Sequence, residues 1–398
     1  MIKQYGVKKY TINDICKVID CEHKTAPYVD KSDFLVARTA NIKGGELTYE
    51  GMKFTTQAGY SEWTQRAVPE CGDILFTREA PAGESCLVPE NLKVCMGQRM
   101  VLLRPNRDLV DPLYFFNYLM SGKCEKEVNK YKIGTTVSRI NIEDIKKIPV
   151  RLPDLHIQKS LASGCTSINK RISLLKQKHE QLVLYKKGIM QQLFSQQLRF
   201  KDDDGQDFPG WVMTKFKQHF ERVTQKNIIN NLNVLTISGK RGLINQQKYF
   251  NKSVSAQDVT GYYLINKGEF AYNKSYSKGY PMGAIKRLNN YDQGVVSTLY
   301  ICFKSKNGDE RFWEQYFEVG LLNREIQKIA QEGARNHGLL NVSVKEFFDD
   351  MKMHSPCNAE QTKIADFLEV IDQKINLAQQ QIEQTQAYKQ GLLQQMFV

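Results

Sequence analysis

The chain has 398 residues, enough for at least two domains, because a single core stops growing before about 300 residues. Its 41% hydrophobic and 25% charged residues, with no window near the ~18 apolar residues of a membrane helix, exclude both a disordered chain and a membrane-spanning one. Fifty-six Lys and Arg against 43 Asp and Glu leave a formal charge of +13, which favours a polyanionic partner, nucleic acid above all. Charge alone does not exclude a basic protein without such a partner, so the architecture has to decide. The start, MIKQYGVKKYTIN, is basic with no apolar segment behind it, so export is not expected and a cytoplasmic location is. Nine irregularly spaced cysteines without a CxxC pair fit neither a zinc site nor a disulfide framework, and are expected as reduced thiols.

Residues 1–153 alternate short apolar runs, such as CGDILFT (71–77) and RMVLLR (99–104), with glycine-containing turns, and then become helical in DPLYFFNYLMSGKCEKEVNKY. This predicts an α+β globular region. Residues 154–200 then read as one long helix. It opens after Pro153 with Asp154, and Leu161, Cys165, Ile168, Ile172, Leu175, His179 and Leu182 form a heptad seam. A polar stretch, KDDDGQDFPG, leads into a second globular region within 201–355. There KGEFAYN (267–273) answers CGDILFT, LYICFK (299–304) answers RMVLLR, Gly333 answers Gly134, and ERFWEQYFEVGLLNREIQKIAQEG supplies the helical part. Residues 356–398 form a second long helix, opening at Pro356 and Asn358 with Gln361 three residues on, and with a seam at Ile364, Leu368, Ile371, Ile375, Ala378, Ile382 and Thr385.

The two helices are copies. YKKGIMQQLF begins at Tyr185 and YKQGLLQQMF at Tyr388, 203 positions later, and the ungapped match extends upstream from both. Each large apolar side chain left in water forfeits roughly 1.5–3 kcal/mol, so the seams are expected to bury each other. A compact intervening region returns the chain near the end of the first helix, which predicts an antiparallel pair and a pseudo-two-fold internal repeat. Residues 158–194 carry seven basic and one acidic residue, and 361–397 three basic and four acidic, which favours pairing of unlike helices. At ~1.5 Å per residue, such helices hold the two regions apart by more than one ~34 Å turn of duplex DNA. Within the repeated motif Tyr185, Lys186, Gly188, Phe194, Tyr388, Lys389, Gly391 and Phe397 are expected at a spacer or partner interface. The glycines are expected to admit close approach by the other helix or another subunit, and the lysines to fall on the seam.

No chemistry of its own is expected from the chain. Asp111-Pro112-Leu113-Tyr114 resembles the DPPY loop of amino-methyltransferases, but it lacks the second proline, a cofactor loop and an echo in the second half, so a helix start explains it better. There is no phosphate loop, Asp350-Met351-Lys352 is too short a match for a nuclease centre, and the six histidines have no metal-ligand spacing. Candidate DNA contacts are Arg38, Thr39, Asn41, Lys43, Thr77, Arg78, Thr135, Thr136 and Arg139 in the first region. In the second they are Lys240, Arg241, Lys274, Ser275, Tyr276, Lys278, Arg335, Asn336 and His337. Arg and Asn match base edges, Ser, Thr and Lys match phosphates, and all lie in polar stretches near glycines.

The whole pattern resembles the specificity subunit of type I restriction–modification systems. LPDLHIQKSLASGCTSINKRI and SPCNAEQTKIADFLEVIDQKI are similar to that family's helix starts, and LRFKDDDGQDFPGWV to its inter-repeat junction. Trp211 opens the second region as is usual there, while the first offers only Tyr10. The resemblance implies an α+β fold with two target-recognition domains, 1–153 and 201–355, and two spacer helices, 154–200 and 356–398. It implies a non-catalytic reader of a split, asymmetric DNA site. Its partners would be two methyltransferase subunits that carry S-adenosylmethionine, and restriction subunits that carry ATP and Mg. A symmetric coiled-coil scaffold that binds proteins is the alternative of another class; a methyltransferase fused to its own recognition domain is a third.

Overall fold

The computed structural model describes residues 6–134, 138–239, 241–250, 258–331 and 340–397. It divides into two compact units, Met1–Lys178 with Ala378–Val398, and His179–Leu377. Both long helices are continuous, Leu155–Phe194 and Asn358–Met396, so each unit takes one half of each.

The first unit is built on an antiparallel sheet of strand order Cys16–Asp20, Met100–Pro105, Ile74–Thr77, Ser85–Leu87. The second has the order Phe220–Val223, Ile301–Ser305, Phe270–Asn273, Ala284–Arg287, also antiparallel throughout. The register repeats too, since Leu103 pairs with Ile74 and that with Leu87, as Phe303 pairs with Phe270 and that with Arg287. The strand echoes expected from the sequence are therefore structural equivalents; Gly333, the expected counterpart of Gly134, lies outside the described residues. Each region is closed by its first strand pairing with its last, Lys8–Thr11 with Pro149–Leu152 and Val212–Lys215 with Lys352–Ser355. They differ in the surrounding strands: the first unit adds a four-stranded sheet containing Phe34–Ala37 and Lys53–Thr55, the second the separate pairs Leu235–Ser238 with Gly242–Asn245 and Tyr263–Asn266 with Gln293–Val296.

The Asp-Pro stretch is a helix start. Asp111 Oδ1 accepts the Tyr114 amide at 2.9 Å and Pro112 opens the helix Pro112–Leu119. Asp309 does the same for the helix Glu310–Glu318, accepting from the Arg311 amide at 2.9 Å. Gln158 and Gln361, both fully buried, tie these caps to the long helices. Gln158 Oε1 accepts from the Asp111 amide at 3.0 Å while its amide donates to Pro153 O, and Gln361 bonds the Asp309 amide and Pro356 O in the same way. The second long helix starts at Asn358, and the Gln361 backbone amide donates to the Cys357 carbonyl at 3.0 Å, which puts Cys357 at the residue before its first turn.

Every expected seam residue is buried or half-buried. The helix halves run antiparallel within each unit. In the first, Cys165 Sγ lies 3.8 Å from Met396 Sδ and Lys176 acts on Lys389; in the second, Lys186 meets Asp372 while Met190 and Leu193 join Ile364 and Leu368 in one core. The repeated motif ends in a core anchor. Phe194 packs on Phe312 (5.8 Å) and Tyr316 (5.9 Å), and Phe397 on the equivalent Tyr114 (5.3 Å) and Tyr118 (5.5 Å). Phe194 and Phe397 are thus largely withdrawn from the surface expected for them, because burying each aromatic ring closes the core of its unit.

Candidate nucleic-acid interface

In the first unit two expected stretches come together. Ile133 and Arg139 exchange reciprocal backbone bonds, and the Ile140 amide donates to Arg78 O, so Arg78 and Arg139 belong to one surface. Arg139 is exposed; Arg78 is mostly buried and paired with Asp20 at 3.2 Å, and Arg99 adds a cation beside Glu79 at 3.2 Å. Thr39 is half-buried and Lys43 exposed, 3.9 Å from Glu50. Arg38 reaches Gly51 O at 2.7 Å. Two expected contacts are turn anchors instead. Asn41 is fully buried, its amide donating to Thr48 O and Glu50 O and its carbonyl accepting from the Arg38 amide. Thr77, also fully buried, donates to Pro81 O at 2.7 Å and accepts from the Glu84 amide at 2.9 Å. Their polar atoms hold loops that would otherwise leave buried backbone groups unpaired. Thr135 and Thr136 lie outside the described residues.

One group of possible metal ligands, Asp20, Cys21 and His23, occurs among the described residues, with ligand atoms within 4.8 Å of one another. Its chemistry is poor for a cation. The Asp20 carboxylate already faces Arg66, Arg78 and His23, and burial pushes the Cys21 thiol up, away from the thiolate a metal needs.

In the second unit the hairpin 235–245 and the turn 277–280 enclose an open concavity of about 580 Å³, lined in part by Ser238, Arg241, Ser277, Lys278 and Tyr280. Arg241, Tyr276 and Lys278 are exposed; Lys274 and Ser275 are half-buried, and burial pulls the Lys274 ammonium below its usual value. Lys240, Arg335, Asn336 and His337 lie outside the described residues. Two features here carried no sequence signal: the buried Lys286 beneath Tyr280, and a loop held by buried Asn227 that exposes Ile228 and Leu232, 83% and 71% accessible.

On the helices, the repeated motif divides between seam and surface. Lys186 is on the seam as expected and donates to both oxygens of Asp372, at 2.7 and 2.8 Å. Lys389 has Asn169 at the matching position of the other helix and, among the described residues, no ion pair; burial pulls its ammonium down, with Lys176 adding repulsion. Gln181, Tyr185, Gly188 and Gln192 are exposed on one face of the first helix, and Gln384, Tyr388 and Gln395 are exposed with half-buried Gly391 on the same face of the second. A Cβ at either glycine would meet nothing within 4 Å, so the other helix is not what these glycines accommodate. Beside each stripe lies a matching groove: about 490 Å³ at Ser121, Lys126, Gln394 and Phe397, and about 480 Å³ at Gln191, Phe194, Val319 and Leu321.

Residues 5–184 match the family model for the type I restriction modification DNA specificity domain. That stretch, a little under half of the chain, is similar to the type I specificity family. The family expected from the repeat is the one that this stretch matches, and two curated relatives from Methanocaldococcus jannaschii carry names of the same kind. One is named the type I restriction enzyme MjaX specificity subunit, 30% identical over 195 residues, covering 46% of this chain and 44% of the relative. The other is named the type I restriction enzyme MjaVIII specificity subunit, 27% identical over 167 residues, covering 41% and 39%. The chain matches less than half the length of each. Among solved structures it is similar to a type I restriction–modification S subunit from M. genitalium, TM-score 0.59, 15% identity, covering 99% of this chain and 96% of that one. A chain from a study of complex assembly and conformational transition of the type I system gives TM-score 0.55, 15% identity, and 98% and 97% coverage. At such identities the likeness is one of fold, and it extends over nearly the whole of both chains. No helix of the described residues is long and apolar enough to cross a membrane.

Proposed function

We propose that the chain is the non-catalytic DNA reader of a type I restriction–modification complex. Each recognition region, 1–153 and 201–355, reads one half of a split, asymmetric site, and the helices 154–200 and 356–398 set the gap between the halves. Methylation of adenine and cleavage belong to partner subunits in the cytoplasm, and the S-adenosylmethionine, ATP and Mg that they need are held there and not by this chain. One observation carries the reading: the same antiparallel sheet, with the same strand order and register, occurs twice, and each copy bears its own basic loops. In the first region these present Arg38, Thr39, Lys43, Arg78 and Arg139, and in the second Arg241, Lys274, Ser275, Tyr276 and Lys278; Thr135, Thr136, Lys240, Arg335, Asn336 and His337, outside the described residues, are proposed as further contacts. Duplex DNA is expected to retain the full chain at low salt and to lose it steeply. Six to ten phosphate contacts predict a fall of about 10³–10⁵-fold in affinity between about 50 and 200 mM salt, read by fluorescence anisotropy. Weak binding with a flat salt response would favour the protein-scaffold alternative.

The two methyltransferase partners are proposed to dock on the duplicated helix stripes. Some seam pairs have diverged, as in Leu175 and Ala378 or His179 and Ile382, and so have outward pairs such as Leu184 and Ala387, whereas the outward residues Gln181, Tyr185, Gly188 and Gln192 recur unchanged as Gln384, Tyr388, Gly391 and Gln395. Solvent places no such demand on surface residues; two copies of one partner do. Replacing Gly188 or Gly391 by Ala is expected to stabilise the chain by up to about 1 kcal/mol in thermal melts, since helical glycine is costly. Gly391→Trp is expected to lower the stoichiometry of bound methyltransferase subunit from two to one by analytical ultracentrifugation.

A further inference from the structure

The second unit holds a charged cluster, built on a buried lysine and an exposed glutamate, that the first does without. Lys286, 8% exposed, donates to Glu318 Oε2 at 2.5 Å and to the Tyr280 hydroxyl at 2.9 Å, with its ammonium 4.6 Å from the Tyr280 ring centre. That hydroxyl has one proton to give, and two acceptors compete for it: Glu318 Oε1 at 2.6 Å and the Gly239 carbonyl at 2.8 Å. Strand register places Cys86 of the first unit where the second has Lys286, the former opposite Leu75 and the latter opposite Ala271. Met120 stands as far beyond the cap Asp111 as Glu318 stands beyond Asp309. The sheet and helix therefore close without charge at either position. The Glu318 side chain is 40% exposed, and an ion pair so open to water contributes little net stability, so this cluster is weakly explained as a device for stability.

What the cluster holds is a junction of two loops. The Tyr280 ring presses against Gly239 at the tip of hairpin 235–245, where a Cβ would come within 2.7 Å of Tyr280 Cε2. Tyr280 also closes its own turn, exchanging backbone bonds with Ser277 at 2.8 and 3.3 Å. One side chain thus fixes the distance between the loops that present Arg241 and Lys278 around the concavity of about 580 Å³. Two cationic side chains and two serines, Ser238 and Ser277, in one lining match an anion with several acceptor oxygens.

We propose that this concavity takes a backbone phosphate of the half-site read by the second unit, with Arg241 and Lys278 as its cationic contacts and Tyr280, fixed by Glu318 and Lys286, as the positioning residue. The proposal rests on the DNA-reading function above. It is tested with the full chain on a duplex carrying its methylome-derived site, with neutral methylphosphonate linkages scanned through both half-sites. Wild-type chain is expected to bind about tenfold more weakly when one linkage in one half-site is neutralised, as for the loss of a charge-assisted contact. Arg241→Ala/Lys278→Ala is expected to lose that dependence at this linkage alone and to keep all others. Tyr280→Phe, and Lys286→Met/Glu318→Leu with an unchanged circular dichroism spectrum, are expected to bind more weakly and to blunt the response at the same linkage. The surface double variant touches no core, so the test survives even if a cluster variant fails to fold. An unchanged scan in the Arg241/Lys278 variant, or folded Tyr280→Phe with wild-type affinity and scan, would overturn the proposal and leave DNA reading intact. A wild-type chain that no duplex retains at low salt would overturn both.

Discussion

Deleting one heptad from both long helices, residues 174–180 together with 377–383, is expected to abolish methylation of the natural site by the assembled complex and to move activity to a site with a shorter gap. Seven residues preserve the seam, because the apolar pattern repeats at that interval in both copies. They remove about 10 Å of helix, equivalent to at most about three base pairs of gap, and three base pairs also turn the half-sites by about 100° relative to each other. Loss on the natural site should therefore be severe rather than graded. Deleting the heptad from one helix only leaves unlike lengths to pair, and is expected to lower stability without defining a new gap. The measurement is methylation of a plasmid library in which the gap between fixed half-sites varies; an unchanged preferred gap after the paired deletion would remove the basis for treating the helices as a ruler.

The helices, their seam and their sense were legible in the sequence because periodicity is a local property that burial then enforces. Ile172 and Ile375 need only be apolar at the right interval to be placed. The strand echoes were legible for a related reason: ILFT and FAYN differ in every residue yet keep the run length and flanking glycines that a sheet position demands. The division into compact units was not, since sequence order assigns each helix to one segment, whereas packing gives half of each helix to each unit.

At the candidate site the limit was chemical. The donor and acceptor of Asn41 suit an adenine edge and a tight turn equally well, and only the fold shows that Thr48, Glu50 and Arg38 have taken them. The reverse holds for Lys286. A lysine in a strand reads as a surface charge, and nothing nearby in sequence announces that Tyr280 and Glu318 converge on it. Gly188 and Gly391 were recognised as a matched pair, but their partner could be narrowed only by the open space beside them.

Replacing Arg199 by alanine is expected to cost about 3–5 kcal/mol in the second unit, a large part of the ~5–15 kcal/mol that holds a typical domain together. Arg199 lies just beyond the first helix and grips Glu360 in the first turn of the second with two parallel bonds, Nε to Oε1 at 3.0 Å and Nη2 to Oε2 at 2.7 Å. Its Nη2 also donates to the carbonyls of Phe208 and Pro209, at 3.2 and 2.7 Å, which ties the polar junction to the helix start. The Glu360 side chain is 1% exposed, so losing the guanidinium strands a carboxylate with only the helix N-terminus to oppose its charge. Removing both charges should cost much less: in Arg199→Met/Glu360→Leu apolar surface replaces the pair, and the difference from the single variant measures the stranded charge rather than the pair's net worth. Trp211 and Trp313 lie in this unit, the latter fully buried, so urea unfolding followed by tryptophan fluorescence reports on it. A midpoint in Arg199→Ala within error of wild type would mean that water reaches Glu360 once the arginine is gone, and that the junction loop, not the ion pair, closes the start of the second helix.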